Sequence, residues 1–237
     1  MESKGTLYLL PTPLGPDTLH SLPPYLIEQL HRLNVFIVER LRTARRFISA
    51  TKPPQPIDSM QFLELNEHTP EQDYPALLSP LENGQDVGLL SEAGCPAVAD
   101  PGAAIVLLAH QKGIKVVPYV GPSSILLALM ASGMNGQSFC FHGYLPPKKP
   151  LLAKALKRLE QQSQRSKQTQ IFIETPYRNQ GLVEQCLTHL SPSTLFCIAV
   201  DLTTETEWIA TRSIKDWKKT TIPNLHKRPA IFLLLSF

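Results

Sequence analysis

Residues Leu89–Gly102 read LLSEAGCPAVADPG. The apolar run Val87–Leu90 opens into a loop of two glycines, two prolines, three alanines and two acids. An apolar, helix-compatible stretch, Pro101–Gln111, follows and is stopped by Gly113. A buried strand that passes through a small-residue loop into a helix predicts one unit of a mostly parallel sheet. In such sheets ligands bind beyond the carboxyl ends of the strands. Gly94 allows a sharp turn or a close backbone approach. Glu92 and Asp100 are placed to accept hydrogen bonds from an amine or from hydroxyl groups. Asp100 has a second reading, as the cap of the following helix with Pro101 at its first position.

The same rhythm extends on both sides of this loop. Thr6–Leu10, Val35–Val38, Val87–Leu90 and Val116–Val120 read as strands. Between them lie helical patterns: one capped by Asp17 and running from the Leu19/Leu22 region to Arg32, then Leu41–Ser49, then Asp73–Glu82, which Asn83-Gly84 ends. Pro53, Pro54 and Pro56 break the second of these. The expectation is a parallel sheet with helices on both faces over residues 1–119. From 120 to 237 the pattern changes. A helix at Pro122–Ser132, a strand at Phe139–Tyr144 and a basic helix at Leu151–Arg165 come first. Strands at Ile171–Glu174, Phe196–Leu202, Glu207–Thr211 and Ala230–Leu235, with one helix at Arg178–Leu190, suggest a mixed α+β domain with antiparallel pairs.

Composition sets the class. The chain has 237 residues, 43% apolar and 18% charged, an ordinary globular balance that excludes a disordered or coiled-coil protein. Its 22 prolines lie between apolar runs and punctuate a fold. Cys95, Cys140, Cys186 and Cys197 form no C-x-x-C pair, which suits a reducing compartment and argues against a zinc ribbon or a disulfide scaffold. No signal peptide or span is read at either end, so a soluble cytoplasmic protein is expected. Charge is uneven. Residues 1–118 carry nine Lys and Arg against thirteen Asp and Glu, whereas residues 119–237 carry fourteen against seven. A basic half hints at a polyanionic partner, with a plain solvated surface as the equal alternative.

Two further loops fall at strand ends. Leu10–Gly15 (LPTPLG) makes a stiff, extended exit, and Val120–Ser124 (VGPSS) leads into a helix with Ser123 and Ser124 in its first turn. Free N–H groups there suit an anion or a carboxylate, and simple capping by Ser123 is the alternative. Nucleotide fingerprints of the G-x-G-x-x-G and P-loop types are absent, as is a nucleophile elbow. The seven histidines form no i, i+4 pair, so no metal is expected, and His142 beside Gly143 is the one histidine kept in view.

Five ordered stretches, GTLYLLPTPLG, LLSEAGCPAVADPG, VVPYVGPSS, FCFHGYLPPK and IFIETPYR, together resemble the tetrapyrrole-methylase-like (class III) S-adenosylmethionine methyltransferases. Among these the bacterial enzymes that methylate a ribose 2′-oxygen in 16S ribosomal RNA are the most similar branch. The resemblance implies two α/β domains with the methyl donor in a cleft between them, a homodimer, and no metal. It implies donor contacts from Pro13, from Ser91, Glu92, Ala93, Gly94, Cys95 and Pro96, from Ser123 and Ser124, and from Tyr144, Pro229 and Ala230 beside Gly143 and Arg228. For catalysis it points to Glu39 and Arg42, with Arg178 as a phosphate or acceptor contact. An ion pair between Glu174 and Arg178 is an equally open reading.

The chain departs from that branch at Glu92, where Asp is usual, and at Gly15-Pro16, where Gly-Asn is usual. It also departs at Glu39-Arg40-Leu41-Arg42 and at Val200-Asp201-Leu202-Thr203-Thr204, the second of which loses an arginine and a lysine. Three readings follow. The first is methylation of ribosomal RNA, supported by basic clusters at Arg40, Arg42, Arg45 and Arg46 and at Lys148, Lys149, Lys154, Lys157, Arg158, Arg165 and Lys167. The second is methylation of a small molecule such as a tetrapyrrole. The third is a non-catalytic donor-binding or ribosome-assembly role.

Overall fold

The computed structural model describes residues 3–237. The chain divides into two compact units, Met1–Ser123 and Ser124–Phe237. The first runs β1 (Thr6–Leu9), α1 (Pro24–Arg32), β2 (Val35–Val38), α2 (Leu41–Ala50), β3 (Gln61–Glu64), α3 (Tyr74–Leu77), α4 (Ser79–Glu82), β4 (Val87–Leu90), α5 (Gly102–Gln111) and β5 (Lys115–Pro118). The second runs α6 (Ser124–Ser132), β6 (Phe139–Tyr144), α7 (Lys149–Ser166), β7 (Thr169–Ile173), α8 (Asn179–His189), β8 (Leu195–Val200), β9 (Trp208–Ser213), α9 (Ile214–Trp217) and β10 (Ala230–Leu235).

All five strands of the first unit are parallel, in the order β3-β2-β4-β1-β5. Alternation along each strand feeds two cores. Leu7, Val35, Ile37, Val87 and Leu89 pack with α3, α4 and α5 on one face. Phe36, Val38 and Leu90 pack with α1 and α2 on the other. The connection leaving β1 therefore runs to one face, and the connection leaving the adjacent β4 runs to the opposite face. That reversal between neighbouring strands opens a crevice at their carboxyl ends, the place such sheets use for ligands.

Prolines account for most departures from the sequence-based expectations. A helix from the Leu19/Leu22 region is expected, but Leu19–Ser21 is only a 3₁₀ turn and α1 begins at Pro24. Pro23 and Pro24 keep the preceding residues extended, and Asp17 takes φ +57° instead of capping a helix. Asp73–Glu82 is expected as one helix and is two, with Pro80 in the first turn of the second. Strand β3 is not anticipated, because an edge strand reading QFLE with two exposed ends carries no apolar run. Helix α9, a single turn capped by Ser213, is also missed.

The second unit has a mixed sheet, β6-β7-β10-β8-β9. Only β6 and β7 are parallel. The last strand, β10, enters antiparallel between β7 and β8 and is buried along its whole length. Phe232 at its centre stacks between Phe172 and Phe196, with ring centroids 6.0 and 6.1 Å away. The register places the ends of β6, β7 and β8 and the start of β10 at one edge.

Gly88 sets how closely β2 and β4 can pair. A Cβ there would lie 2.8 Å from Cδ1 of Phe36, whose ring is fully buried and cannot retreat. Gly88→Ala is expected to destabilise the protein by about 1–3 kcal/mol in urea unfolding. Phe36→Leu in the same chain should return part of that loss, measured as a coupling in the double-mutant cycle.

Candidate active site

Three strand exits meet in the first unit. After β4 the chain reverses at once, because Ser91 Oγ donates to the Gly94 carbonyl at 2.9 Å and Gly94 adopts φ +79°. Only a residue without a Cβ takes that conformation readily. The reversal brings Gly94 antiparallel to Thr12 in the exit from β1, with N–H to O distances of 2.9 Å one way and 3.1 Å the other. Thr12 Oγ1 adds a bond of 3.2 Å to the Ser91 carbonyl. The third exit, after β5, comes close enough for the Cys95 thiol to reach the Pro122 carbonyl at 3.5 Å. A Cβ on Gly121 would fall 2.2 Å from Cβ of Pro11. Pro13 and Ser91 to Pro96 are thus assembled around one crevice, and the Gly121-Pro122 turn reaches it.

The serines are placed differently from one another. Helix α6 begins at Ser124, so Ser123 precedes the helix and does not lie in its first turn. Asp100 lies one residue before the N-cap position, which Pro101 holds, because α5 starts only at Gly102. Its Oδ1 accepts from Gly102 N–H at 2.8 Å and from Ala97 N–H at 2.9 Å. The second bond holds a loop in which Ala97 and Ala99 both have positive φ.

Glu39 follows β2, next to β4 in the sheet. A shallow recess is lined by Val38, Glu39, Leu65, Ser91, Asp100 and Gly102. Burial raises the Glu39 carboxyl above the ordinary glutamate range. The charges of Glu92 and Asp100 raise it further, against a smaller opposing pull from Arg40. Burial likewise raises Asp100, partly offset by its two backbone N–H donors. Arg42 is exposed in the first turn of α2. Arg45 is not available in the same way, since it pairs with Asp58 and lies 5.7 Å over the Phe62 ring.

In the second unit, Tyr144, Arg178, Pro229 and Ala230 share one edge of the sheet. Arg178 does form the ion pair with Glu174, at 2.6 Å, and stays half-exposed. Arg228 pairs with Asp201 at 2.7 Å and donates to the Thr206 carbonyl at 2.7 Å. It thereby steadies a loop in which Asp201 and Thr203 both have positive φ. Such strain clusters at ligand-binding segments. His142 bonds Gln170 at 2.7 Å across β6 and β7 and serves packing.

Two buried side-chain oxygens beside this edge, Asn179 Oδ1 and Thr203 Oγ1, have no hydrogen-bond partner among the described residues. Neither residue stands out in the sequence, nor does Thr12. Asn179 is the first residue of α8, and the identity of its bonding partner is a tertiary fact. The crevice of the first unit bears on whether S-adenosylmethionine fits. A donor with a cationic sulfonium and ammonium would be complemented there by Glu92, Asp100 and Glu39, the last raised by burial and by the charges of the other two. The residues of the first unit fit that group.

A carboxyl whose affinity for protons is higher folded than unfolded makes stability fall as pH rises through its folded value. Glu39→Gln is therefore expected to raise Tm at pH 7. The gain should shrink as pH falls toward 4.5, the range in which the folded carboxyl takes up its proton. Thermal melts of both proteins across that range check the sign. Gly121→Ala forces the first and third exits apart. It is expected to weaken S-adenosylmethionine binding by at least tenfold in calorimetric titration, on the order of the 1–3 kcal/mol that overpacking costs.

Comparison with known proteins identifies relatives by sequence and by fold. The chain is 32% identical over 208 residues to ribosomal RNA small subunit methyltransferase I of Escherichia coli O157:H7, covering 88% of this chain and 69% of that protein. The protein of the same name from Halalkalibacterium halodurans is 32% identical over 190 residues, 78% of this chain and 61% of that one. That from Haemophilus influenzae is 28% identical over 232 residues, 97% and 78%. Among solved structures, the methyltransferase CobJ superposes with a TM-score of 0.63 at 18% identity, covering 98% of this chain and 94% of that one. Uroporphyrin-III C-methyltransferase from Thermus thermophilus, complexed with S-adenosyl homocysteine, superposes with a TM-score of 0.57 at 18% identity, covering 98% and 97%. These two share the fold. The pattern of the tetrapyrrole (corrin/porphyrin) methylases matches residues 8–217, and the chain belongs to that family of S-adenosylmethionine-dependent methyltransferases.

Proposed function

We propose that this protein transfers a methyl group from S-adenosylmethionine to a ribose 2′-oxygen of small-subunit ribosomal RNA. The observation that carries the RNA assignment is the outer face of α7. Lys148, Lys149, Lys154, Lys157, Arg158, Arg165 and Lys167 are all exposed, and none forms an ion pair among the described residues. Glu160, the one acid in the helix, is turned to the turn before β8. There it accepts from Ser191 N–H at 2.7 Å, from Ser191 Oγ at 3.1 Å and from Thr194 Oγ1. A helix that hides its only carboxylate and exposes its cations suits a phosphate backbone. The relatives named ribosomal RNA small subunit methyltransferase I support small-subunit ribosomal RNA as the acceptor.

When bound, S-adenosylmethionine supplies a methyl group on a sulfonium, open to in-line displacement by an oxygen. The chain's part is to orient and to move a proton. Pro13, Ser91 to Pro96 and Ser123 wall the donor in the first unit. Glu92 complements the positive charge. Glu39 accepts the proton of the acceptor hydroxyl, a task helped by its raised proton affinity. Arg42 meets a phosphate flanking the acceptor, and Arg178, in the second unit, is a phosphate contact. Holding two reactants in line provides most of the rate for such a transfer. The reading extends to a cytoplasmic homodimer, consistent with exposed apolar side chains such as Met130, which is 78% exposed.

Tritiated S-adenosylmethionine incubated with small ribosomal subunits, followed by separation of RNA, protein and small-molecule fractions, tests the assignment. Label in RNA ribose is expected. Label only in small molecules would assign the acceptor to another class, and donor binding without transfer would leave a non-catalytic role. Glu39→Gln is expected to slow transfer by about 10²–10⁴-fold. Reversing Lys154, Lys157, Arg158 and Arg165 to Glu should weaken RNA binding and flatten its dependence on salt, by a slope of roughly 0.7–0.9 for each phosphate no longer neutralised.

A further inference from the structure

The segment Glu174-Thr175-Pro176-Tyr177-Arg178 is a closed clamp with an aromatic ring at its tip. Arg178 N–H donates to the Thr175 carbonyl at 2.8 Å, which makes Thr175–Arg178 a β-turn with Pro176 at its second position and Tyr177 at its third. Glu174, almost wholly buried, accepts from Thr175 N–H at 2.6 Å and from Arg178 Nε at 2.9 Å. The turn is fixed from within, and Tyr177 stands out of it with 69% of its surface exposed.

The neighbours of that ring come from a second loop. Lys227 N–H donates to the Pro176 carbonyl at 3.1 Å, and Lys227 takes φ +63° to do so. Its Nζ lies 5.9 Å from the Tyr177 ring centre. The His226 ring meets Tyr177 edge-on at 5.7 Å. An exposed tyrosine alone has no meaning. This one has a cation over its ring and an imidazole at its edge, it is carried on a locked turn, and most of its surface is left open. It is not part of the core, and the transfer chemistry makes no use of it.

We infer that Tyr177 is a stacking platform for an unpaired nucleobase of the RNA substrate, with Lys227 beside it to meet the adjoining phosphate. The inference rests on the RNA reading above and deepens it, since it selects single-stranded over duplex RNA at this edge of the second unit. The chemistry is that of sequence-tolerant recognition. Every base has a π face, an aromatic ring accepts it without hydrogen-bond readout, and a nearby cation balances the backbone charge. Pre-ordering the turn removes an entropy loss that a mobile loop would suffer on binding.

The test compares binding of a fluorescein-labelled single-stranded RNA hexamer and of an RNA duplex by wild type, Tyr177→Ala and Tyr177→Trp. Tyr177→Ala is expected to weaken the hexamer on the order of tenfold, within the range for loss of one stacked base. Duplex binding and S-adenosylmethionine affinity should stay as in wild type. Tyr177→Trp should restore hexamer binding, and its fluorescence should be quenched when RNA is added. Equal hexamer binding by wild type and Tyr177→Ala would overturn the inference, as would equal losses for hexamer and duplex. The two readings fail separately. If wild type labels ribosomal RNA and Tyr177→Ala labels it at the same rate at limiting RNA, the platform is wrong and the function stands. If wild type labels no RNA, the function is wrong and the hexamer result alone decides the platform.

Discussion

The chain reversal after β4 is the constraint on which the first unit depends. A parallel strand normally hands over to its helix in a few residues. Here Ser91–Gly94 first turns back so that Gly94 can exchange two backbone hydrogen bonds with Thr12. Those bonds satisfy polar groups that would otherwise be stranded at the bottom of a buried crevice. They also tie the exits of β1 and β4, whose connections depart to opposite faces of the sheet. With that tie made, Pro11 and Gly121 can approach to a distance that admits no side chain, and Cys95 comes within reach of Pro122. The crevice is therefore built from backbone, and the side chains that line it are small for that reason.

Charge is arranged oppositely in the two units. Around the crevice of the first, burial and then the charges of Glu92 and Asp100 raise the proton affinity of Glu39. A cation offsets such a rise, and a methyl sulfonium is one. On α7 of the second unit the cations are left exposed while the single acid is tied up in a turn. Exposed like charges on one face weaken a helix slightly. The apolar stripe Leu152, Leu156 and Leu159, buried in the core, more than offsets that loss.

How much of this is legible in the sequence follows from where each signal resides. Buried central strands announce themselves by continuous apolar runs, so Val35–Val38, Val87–Leu90 and Ala230–Leu235 can be read to the residue, and the edge strand Phe139–Tyr144 also falls on its expected bounds. Edge strand β3 gives no such run, and its place is set by pairing with β2 alone. The loops of the first unit are recognisable because glycine, proline and serine at strand ends have few other uses. The partners inside those loops are not. Nothing local to Thr12 says that it bonds Gly94, and nothing local to Asn179 says that its oxygen is left without a donor. Arg45 reads as one of four equivalent arginines, and only Asp58 beside it in space sets it apart. Tyr177 is a single letter in a motif, because its exposure and the approach of Lys227 are properties of two loops distant in the chain.

The segment at the end of β8 shows how two loops distant in the chain hold one another. Val200 stands where the ribosomal branch usually has arginine, and it is fully buried in the apolar core. A cation there would have to leave that core or be matched within it. Instead the positive charge arrives from the loop before β10. Arg228 reaches Asp201 with its Nε and the Thr206 carbonyl with its Nη2, and Thr206 in turn donates to the same Asp201 oxygen. Both members of this pair are mostly buried, so neither charge is stable without the other. The pair also holds Asp201 and Thr203 at positive φ, conformations that side chains with a Cβ resist. The cation at this edge of the sheet is therefore supplied by the loop before β10, and it restrains the backbone of Asp201 and Thr206.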